Sequence, residues 1–240
     1  PEESEIVIGA IGDNTLGDPA GSERAPGSFH RALADAGGDL GHFFSGVREV
    51  LASDDLTIGN LEGTLTTTGC REDVAFAFRG KPEFAKMLAL GSVEVVNLAN
   101  NHSFDCGSRG FRDTRIALAS ENVGYFGLGD VDRRVVKGIE VVNLGYLGGK
   151  TDFKVEMEKA VRKNKRDDNL VIVSFHWGIE GMHAATAEQR ILGRAAIDAG
   201  ADLVLGHHPH VLQGIEDRAG KKIVYSLGNF VFKKIGRAHV

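Results

Sequence analysis

Cysteine is scarce. The 240 residues contain two, Cys70 and Cys106. Two thiols cannot build a disulfide framework, so an ordinary apolar core has to hold the fold. Either the two join once, in an oxidising compartment, or neither pairs. Long apolar runs are absent as well: no stretch approaches the ~20 apolar residues of a membrane-spanning helix, and no signal-peptide pattern is present. The sequence opens at Pro1 and Glu2 rather than at methionine, so a lost leader or anchor is expected. Positive charge is not in excess, with 28 Lys+Arg against 33 Asp+Glu and a net charge of -5, which gives no reason to expect nucleic acid as a partner. The one basic run, Arg162, Lys163, Lys165 and Arg166, passes straight into Asp167 and Asp168 and reads as the solvated end of a helix. Repeats, low-complexity tracts and linkers are also missing, so a single domain over residues 1–234 is the economical reading. Residues 235–240 read as the in-frame translation of a common sequencing adapter and are set aside, His239 with them.

What is present is a soluble α/β pattern. Hydrophobic residues make up 42% and charged residues 25% of the chain, ordinary values for a globular protein. Short apolar runs alternate with polar or glycine-rich loops and amphipathic stretches. Strands are predicted at residues 6–11, 56–61, 93–98, 123–126, 170–175, 203–205, 223–227 and 229–232, with a hairpin over 135–146 turning at Lys137-Gly138. Helical spacing appears at 43–51, after Pro82, and at 111–119, 153–165 and 187–199, the last with Gly200 placed to stop it. Strands alternating with helices imply a sheet covered by helices, and the late hairpins make it mixed.

The chemistry gathers at strand ends. The first strand runs into Gly12-Asp13-Asn14, the second into Gly59-Asn60-Leu61-Glu62-Gly63, the third into Asn97-Leu98-Ala99-Asn100-Asn101-His102. The strand at 170–175 ends in His176-Trp177-Gly178 and that at 203–205 in Gly206-His207-His208-Pro209-His210. Ligands of α/β sheets bind outside the carboxyl ends of strands, so these segments describe one converging site. Imidazoles with carboxylates and an amide oxygen suit divalent Mn, Fe or Zn. The set exceeds what one tetrahedral zinc needs and fits a pair of metals ~3.5–4 Å apart.

Each member alone has a plain structural reading. Asp13 could be a turn residue, Asn60 and Glu62 could close a loop, and Asn100, Asn101 and His102 could form a turn. His176 could be a satisfied core histidine, Trp177 belongs to a wall or core, and Cys106 reads as a packing residue. His30, His42 and His183 carry no signal. Three histidines within four residues at a strand end have few structural uses, and the combination is far more specific than its parts.

These segments, together with Gly12 to Gly17 (GDNTLG), Ser174 to Gly178 (SFHWG) and Tyr225 to Phe230 (YSLGNF), resemble the CapA/PgsA-type proteins of bacterial capsule and poly-γ-glutamate synthesis. The likeness is ordered and spans residues 6–232. That family is similar in turn to calcineurin-like metallophosphoesterases, which implies an α-β-β-α sandwich with mixed sheets. By this resemblance Asp13 is a ligand of a first metal and a catalytic residue. Asn60 or Glu62 stands at the bridging carboxylate, and Asn101 is a ligand of a second metal. His102 is the histidine that protonates a leaving group. His176 and His208 are second-metal ligands, His210 is a first-metal ligand, and His207 is dispensable. Two positions depart from the phosphoesterase pattern: Thr15 stands where histidine is usual, and Asn60 where a bridging aspartate is usual. Family members usually continue beyond the Gly-Asn-Phe segment, so a C-terminal truncation is expected.

The implied function is a metal-dependent hydrolase of capsule or poly-γ-glutamate biosynthesis, with one or two divalent ions cutting a phosphoester or an amide. Its partners would be the anionic capsule polymer or its precursors and other capsule-synthesis proteins, at the cell surface or in a membrane-associated complex outside the cytoplasm. The alternative is a non-catalytic assembly or polymer-binding component with a degenerate metal site, motivated by Thr15 and Asn60.

Overall fold

The computed structural model describes residues 5–70, 76–148 and 151–232; the adapter-like tail lies outside them. The first half runs β1 (Ile8–Asn14), β2 (Asp18–Pro19), α1 (Phe29–Asp35), α2 (Arg48–Leu51), β3 (Leu56–Leu61), β4 (Thr64–Leu65), β5 (Phe78–Gly80), α3 (Ala85–Leu90), β6 (Val95–Asn97), α4 (Gly107–Ser120) and β7 (Gly124–Phe126). The second half runs β8 (Asp132–Val136), β9 (Ile139–Leu147), α5 (Lys154–Asn164), β10 (Asn169–His176), α6 (Ala187–Ala199), β11 (Leu203–His207), β12 (Ile215–Arg218), β13 (Lys221–Val224) and β14 (Asn229–Val231).

Five strands form a wholly parallel sheet in the order β14-β1-β3-β6-β7. Six form a mixed sheet, β12-β13-β11-β10-β9-β8, parallel at its centre and antiparallel at both edges. A three-stranded sheet, β2-β5-β4, accompanies them. The near-continuous apolar run of β10 follows from burial on both faces. Between the sheets, Leu56, Ile58, Val95 and Phe126 pack on Val141, Ile172 and Leu205. Outside the parallel sheet, Ile11 and Val96 share a core with Phe29 of α1, Met87 and Leu88 of α3 and Leu118 of α4. Outside the mixed sheet, Val171, Val173 and Phe175 share one with Met157 and Val161 of α5 and Leu192 and Ala196 of α6. The layers therefore read helix, sheet, sheet, helix.

Local chemistry explains the elements. Thr186 and Gln189 form a reciprocal capping box at the start of α6, and Gly200 ends it in the left-handed region. Lys137 and Gly138, both at positive φ, make the tight turn that sets Val136 opposite Ile139. Residues 43–51 differ from the expected single helix: a 3₁₀ turn at His42–Phe44 and the one-turn α2 stand apart, with Gly46, a poor helix former, between them. Helix α1 was not expected. Its first turn is secured by side chains rather than periodicity: the Ser28 hydroxyl accepts from the Arg31 N–H and Asp18 accepts from those of Phe29 and His30. Residues 215–218, not expected as a strand, form one that pairs antiparallel with β13.

One carboxylate ties the mixed sheet to its helices. Asp202, at the end of the α6–β11 connection, accepts from the Val171 N–H of β10 and from Lys165 Nζ after α5, each at 2.8 Å, and from Lys221 Nζ of β13 at 2.8 Å. Burial pushes its pKa up, but these donors outweigh burial and hold it below the ordinary 3.8. A depressed folded pKa means stability present above the unfolded value and lost as pH falls through the folded one. Asp202→Ala is expected to cost about 2–3 kcal/mol in urea unfolding at neutral pH, with the gap to wild type closing as pH drops below 3.8. A gap independent of pH would show that packing, not charge, is at stake.

Candidate metal centre

Strand ends deliver the site. Asp13 is the penultimate residue of β1, and Glu62 follows β3 directly. His102 lies five residues past the end of β6. His176 ends β10, and His207 ends β11 with His208 and His210 beyond it. Close backbone approach shapes this edge. A Cβ on Gly12 would meet the Gly228 carbonyl oxygen at 2.0 Å, and one on Gly206 the Tyr225 carbonyl at 2.0 Å, so glycine precedes Asp13 and His207 for want of room. His208 and His210 take positive φ values of 95° and 59°, a conformation that costs of order 1–3 kcal/mol per residue.

Asp13 is fully buried. Its Oδ1 accepts from Asn60 Nδ2 at 2.8 Å, and its Oδ2 from the His208 N–H at 3.2 Å. His210 Nδ1 lies 3.1 Å from Oδ2 and His207 Nδ1 3.6 Å from Oδ1. Burial raises its pKa, but the His210 hydrogen bond and the charges of His207 and His176 prevail, holding the carboxyl well below the usual range.

Glu62 is the opposite case. It is buried, and neither carboxylate oxygen has a hydrogen-bond partner. His176 Nε2 stands 3.5 Å from Oε1, His210 Nε2 3.8 Å and His102 Nε2 3.9 Å. Burial, reinforced by Asp13, Glu180 and Asp105, pushes its pKa well above the ordinary value. A buried carboxylate ringed by imidazoles and left unpaired is an energetic deficit that a cation would remove.

The imidazoles converge on it. His176 Nε2 is 2.7 Å from Asn101 Oδ1, and its ring centroid lies 4.6 Å from that of His208. The Nδ1 of His210 is turned to Asn229 Oδ1 at 2.8 Å and to Asp13, leaving Nε2 toward Glu62. Burial lowers the pKa of His176, His207 and His208, whereas for His210 the Asp13 contact overrides burial and raises it. The ligand atoms of Asp13, Glu62 and His210 lie within 4.8 Å of one another, as do those of Glu62, His176 and His208. These groups could each hold a metal ion, and Glu62 belongs to both. Carboxylate with imidazole fits a borderline divalent cation.

Every residue expected to line the site is thus brought to one edge, with different surroundings. Asn60 is occupied: its Nδ2 donates to Asp13, and its Oδ1 accepts from Asn97 at 3.1 Å and Asn100 at 3.3 Å. Thr15 is buried with its hydroxyl unpartnered. His207, set aside on sequence, is fully buried beside Asp13. Cys106 is disulfide-bonded to Cys70, resolving a pairing the sequence left open and excluding a free thiol there. Trp177 is core, stacked on Phe175 at 4.3 Å.

Two residues escaped the sequence reading. Asp105 Oδ2 lies 2.8 Å from His102 Nδ1 and accepts from the Phe78 N–H at 2.7 Å; three residues past His102, its only sequence signal is that spacing. Glu180 stands within reach of His208 and His210 and is signalled only by lying in the loop that follows His176 at the end of β10.

Glu62 yields a test free of any ion. A folded pKa raised above 4.5 penalises the native state at higher pH and leaves it unpenalised below the unfolded value. In chelated protein, Glu62→Gln is expected to raise Tm at neutral pH, since an amide is cheaper to bury than a carboxylate. The gain should vanish near pH 4.5. A Tm unchanged or lowered at neutral pH would show that the carboxylate is already compensated.

Residues 7–234 match the family described as Bacterial capsule synthesis protein PGA_cap. The chain is 33% identical over 214 residues to the PGA biosynthesis protein CapA of Bacillus subtilis (strain 168), covering 79% of this chain and 56% of that protein. It is 32% identical over 220 residues to the capsule biosynthesis protein CapA of Bacillus anthracis, covering 80% and 54%. The chain therefore spans a little over half the length of these relatives. A crystal structure of a hypothetical protein from Thermus thermophilus superposes with a TM-score of 0.59 at 19% identity, covering 93% of this chain and 76% of that one, a likeness of fold alone.

Proposed function

This chain belongs to the bacterial capsule synthesis protein PGA_cap family, and on that premise we propose that it is a metal-dependent hydrolase of capsule or poly-γ-glutamate synthesis, built on a metallophosphoesterase-like sandwich. The observation that carries the reading is Glu62: a buried carboxylate without a partner, common to two groups of metal-type donors. In this assignment Asp13, Glu62 and His210 would hold one divalent ion, and Glu62, His176, His208 and Asn101 would hold a second. Glu62, common to both groups, would supply the shared charge, and Asn60 orients Asp13 through its amide. Such ions, Mn, Fe or Zn, acidify water toward neutrality and polarise a scissile phosphoester or amide.

The protein's own groups divide the remaining work. Asp105 holds His102 by Nδ1, which leaves Nε2 facing the cluster to give a proton to a leaving group. Phe78 lies edge-on to the His102 ring at 4.7 Å and limits its rotation. The disulfide between Cys70 and Cys106 supports an oxidising location at the cell surface. Among the described residues no helix is long and apolar enough to cross a membrane. The anionic capsule polymer or its precursors are the proposed partners, alongside other capsule-synthesis proteins.

A second reading, a non-catalytic polymer-binding or assembly component, is favoured by Asn60, a neutral amide saturated by protein hydrogen bonds where a bridging charge would offset cation repulsion. One experiment separates the two. Purified protein is expected to contain about one to two equivalents of Mn, Fe or Zn, most of it lost in His208→Ala. With bis(p-nitrophenyl) phosphate or a γ-glutamyl amide as probe, His102→Ala should cut turnover by about 10²–10⁴-fold with metal retained. Metal without turnover of either probe selects the second reading, and protein free of transition metal refutes the hydrolase reading.

A further inference from the structure

The metal-type donors do not end at the buried cluster. Between β10 and α6 the chain crosses the mouth of the site as Gly178-Ile179-Glu180-Gly181. Gly178 and Gly181 take positive φ values of 89° and 73°, so the loop bends sharply on either side of Glu180. It is tied down on the histidine segment: the Gly181 N–H donates to the Pro209 carbonyl at 2.8 Å, and Gln213 Nε2 donates to the Met182 carbonyl at 2.7 Å. Pro209 lies between His208 and His210. The tether holds the Glu180 carboxylate over both rings, its ligand atoms and theirs within 4.8 Å of one another.

Exposure sets this group apart. The Asp13 and His176 side chains are wholly enclosed and Glu62 is 1% exposed, whereas Glu180 is exposed and His208 and His210 are partly exposed. A hydrated cation therefore meets Glu180, His208 and His210 before it meets Glu62. Both histidines also belong to the inner groups, His208 with Glu62 and His176, and His210 with Asp13 and Glu62. A cation held outside could therefore pass inward by exchanging the Glu180 carboxylate for that of Glu62 while a shared histidine keeps hold of it. The unpartnered Glu62 oxygens and the unpartnered, buried Nδ1 of His208 supply the inward pull.

We propose that Glu180, His208 and His210 form an outer capture site for divalent cations, from which the ion passes inward to Glu62. This rests on the metal-centre reading above and assigns Glu180 a role in loading it. An exposed carboxylate beside the buried acids Asp13 and Glu62 would speed cation capture by steering and replace lost hydration water before the ion enters the buried cluster.

The test uses the whole chain stripped by chelator and mixed with Co²⁺. Trp177, the single tryptophan and the neighbour of His176, reports arrival of the quenching ion. Glu180→Gln is expected to slow association by about tenfold, with the same number of ions bound at saturation. In Glu62→Gln the inner position is disabled, and anomalous diffraction from a Co²⁺-soaked crystal should place one ion among Glu180, His208 and His210. Unchanged association in Glu180→Gln, or no anomalous peak among those three residues, overturns the outer site while leaving the metal centre standing. A wild-type chain that takes up no Co²⁺ overturns both.

Discussion

A buried carboxylate with nothing to pair it is the constraint around which this edge of the molecule is organised. Glu62 is enclosed by imidazoles at 3.5–3.9 Å, contacts too long for hydrogen bonds and too ordered for chance. Proteins satisfy buried polar groups almost without exception, and an isolated buried carboxylate either neutralises itself or finds a cation. Around it, its histidine neighbours hold Asp13 well below the usual carboxylate range and burial lowers the pKa of His176, His207 and His208, shifts toward the deprotonated forms that ligate metal, whereas Glu62 and His210 are shifted the other way.

The fold converts this constraint into geometry through its sheets. Parallel strands put their carboxyl ends on one side, so β1, β3 and β6 bring Asp13, Glu62 and the 100–102 segment together from one sheet while β10 and β11 bring the histidines from the other. Asparagines lock the two contributions. Asn97 and Asn100 both donate to Asn60, which donates to Asp13, and Asn101 meets His176 across the gap between sheets. An amide that both donates and accepts can serve as such a hub, which an ionised aspartate, an acceptor only, could not.

Much of this was legible from the sequence because its signals were strong and local. The strand at Leu56–Leu61, the helix at Ala187–Ala199 with its glycine stop, and the hairpin turning at Lys137-Gly138 have unambiguous periodicity or turn chemistry. The convergence of strand ends was legible too, since topology alone predicts it. Helix α1 was hidden because distant Asp18 and neighbouring Ser28 secure its first turn, and β2, β4 and β5 are too short to carry a pattern. At the site, the choice between Asn60 and Glu62 stayed open on sequence, because they lie two residues apart and only coordinates show which one is free of protein hydrogen bonds. Glu180 and Asp105 were missed for a similar reason: one exposed acid in a loop and one acid after a turn have no distinguishing context until their neighbours are known.

The exchange of charge between neighbouring positions has a physical consequence. Two dications close together repel strongly, and a bridging anion between them offsets the repulsion. With Asn60 neutral, the proposed two-metal assignment would put that anion at Glu62, which follows β3 directly and belongs to both donor groups. On that assignment the Asn60 amide is free to organise the strands while Glu62 would carry the charge, so structure and ligation would be divided between residues that a single aspartate would combine. The division has a cost: Asp13 and Glu62 are the only buried carboxylates in the two inner donor groups, and two anions balance half the charge of two dications. Full double occupancy therefore calls for further negative charge, which the exposed Glu180 and an anionic substrate are each positioned or charged to supply. An anionic polymer would on this argument bind more tightly to the doubly loaded centre than to the singly loaded one, coupling metal content to substrate binding through electrostatics alone.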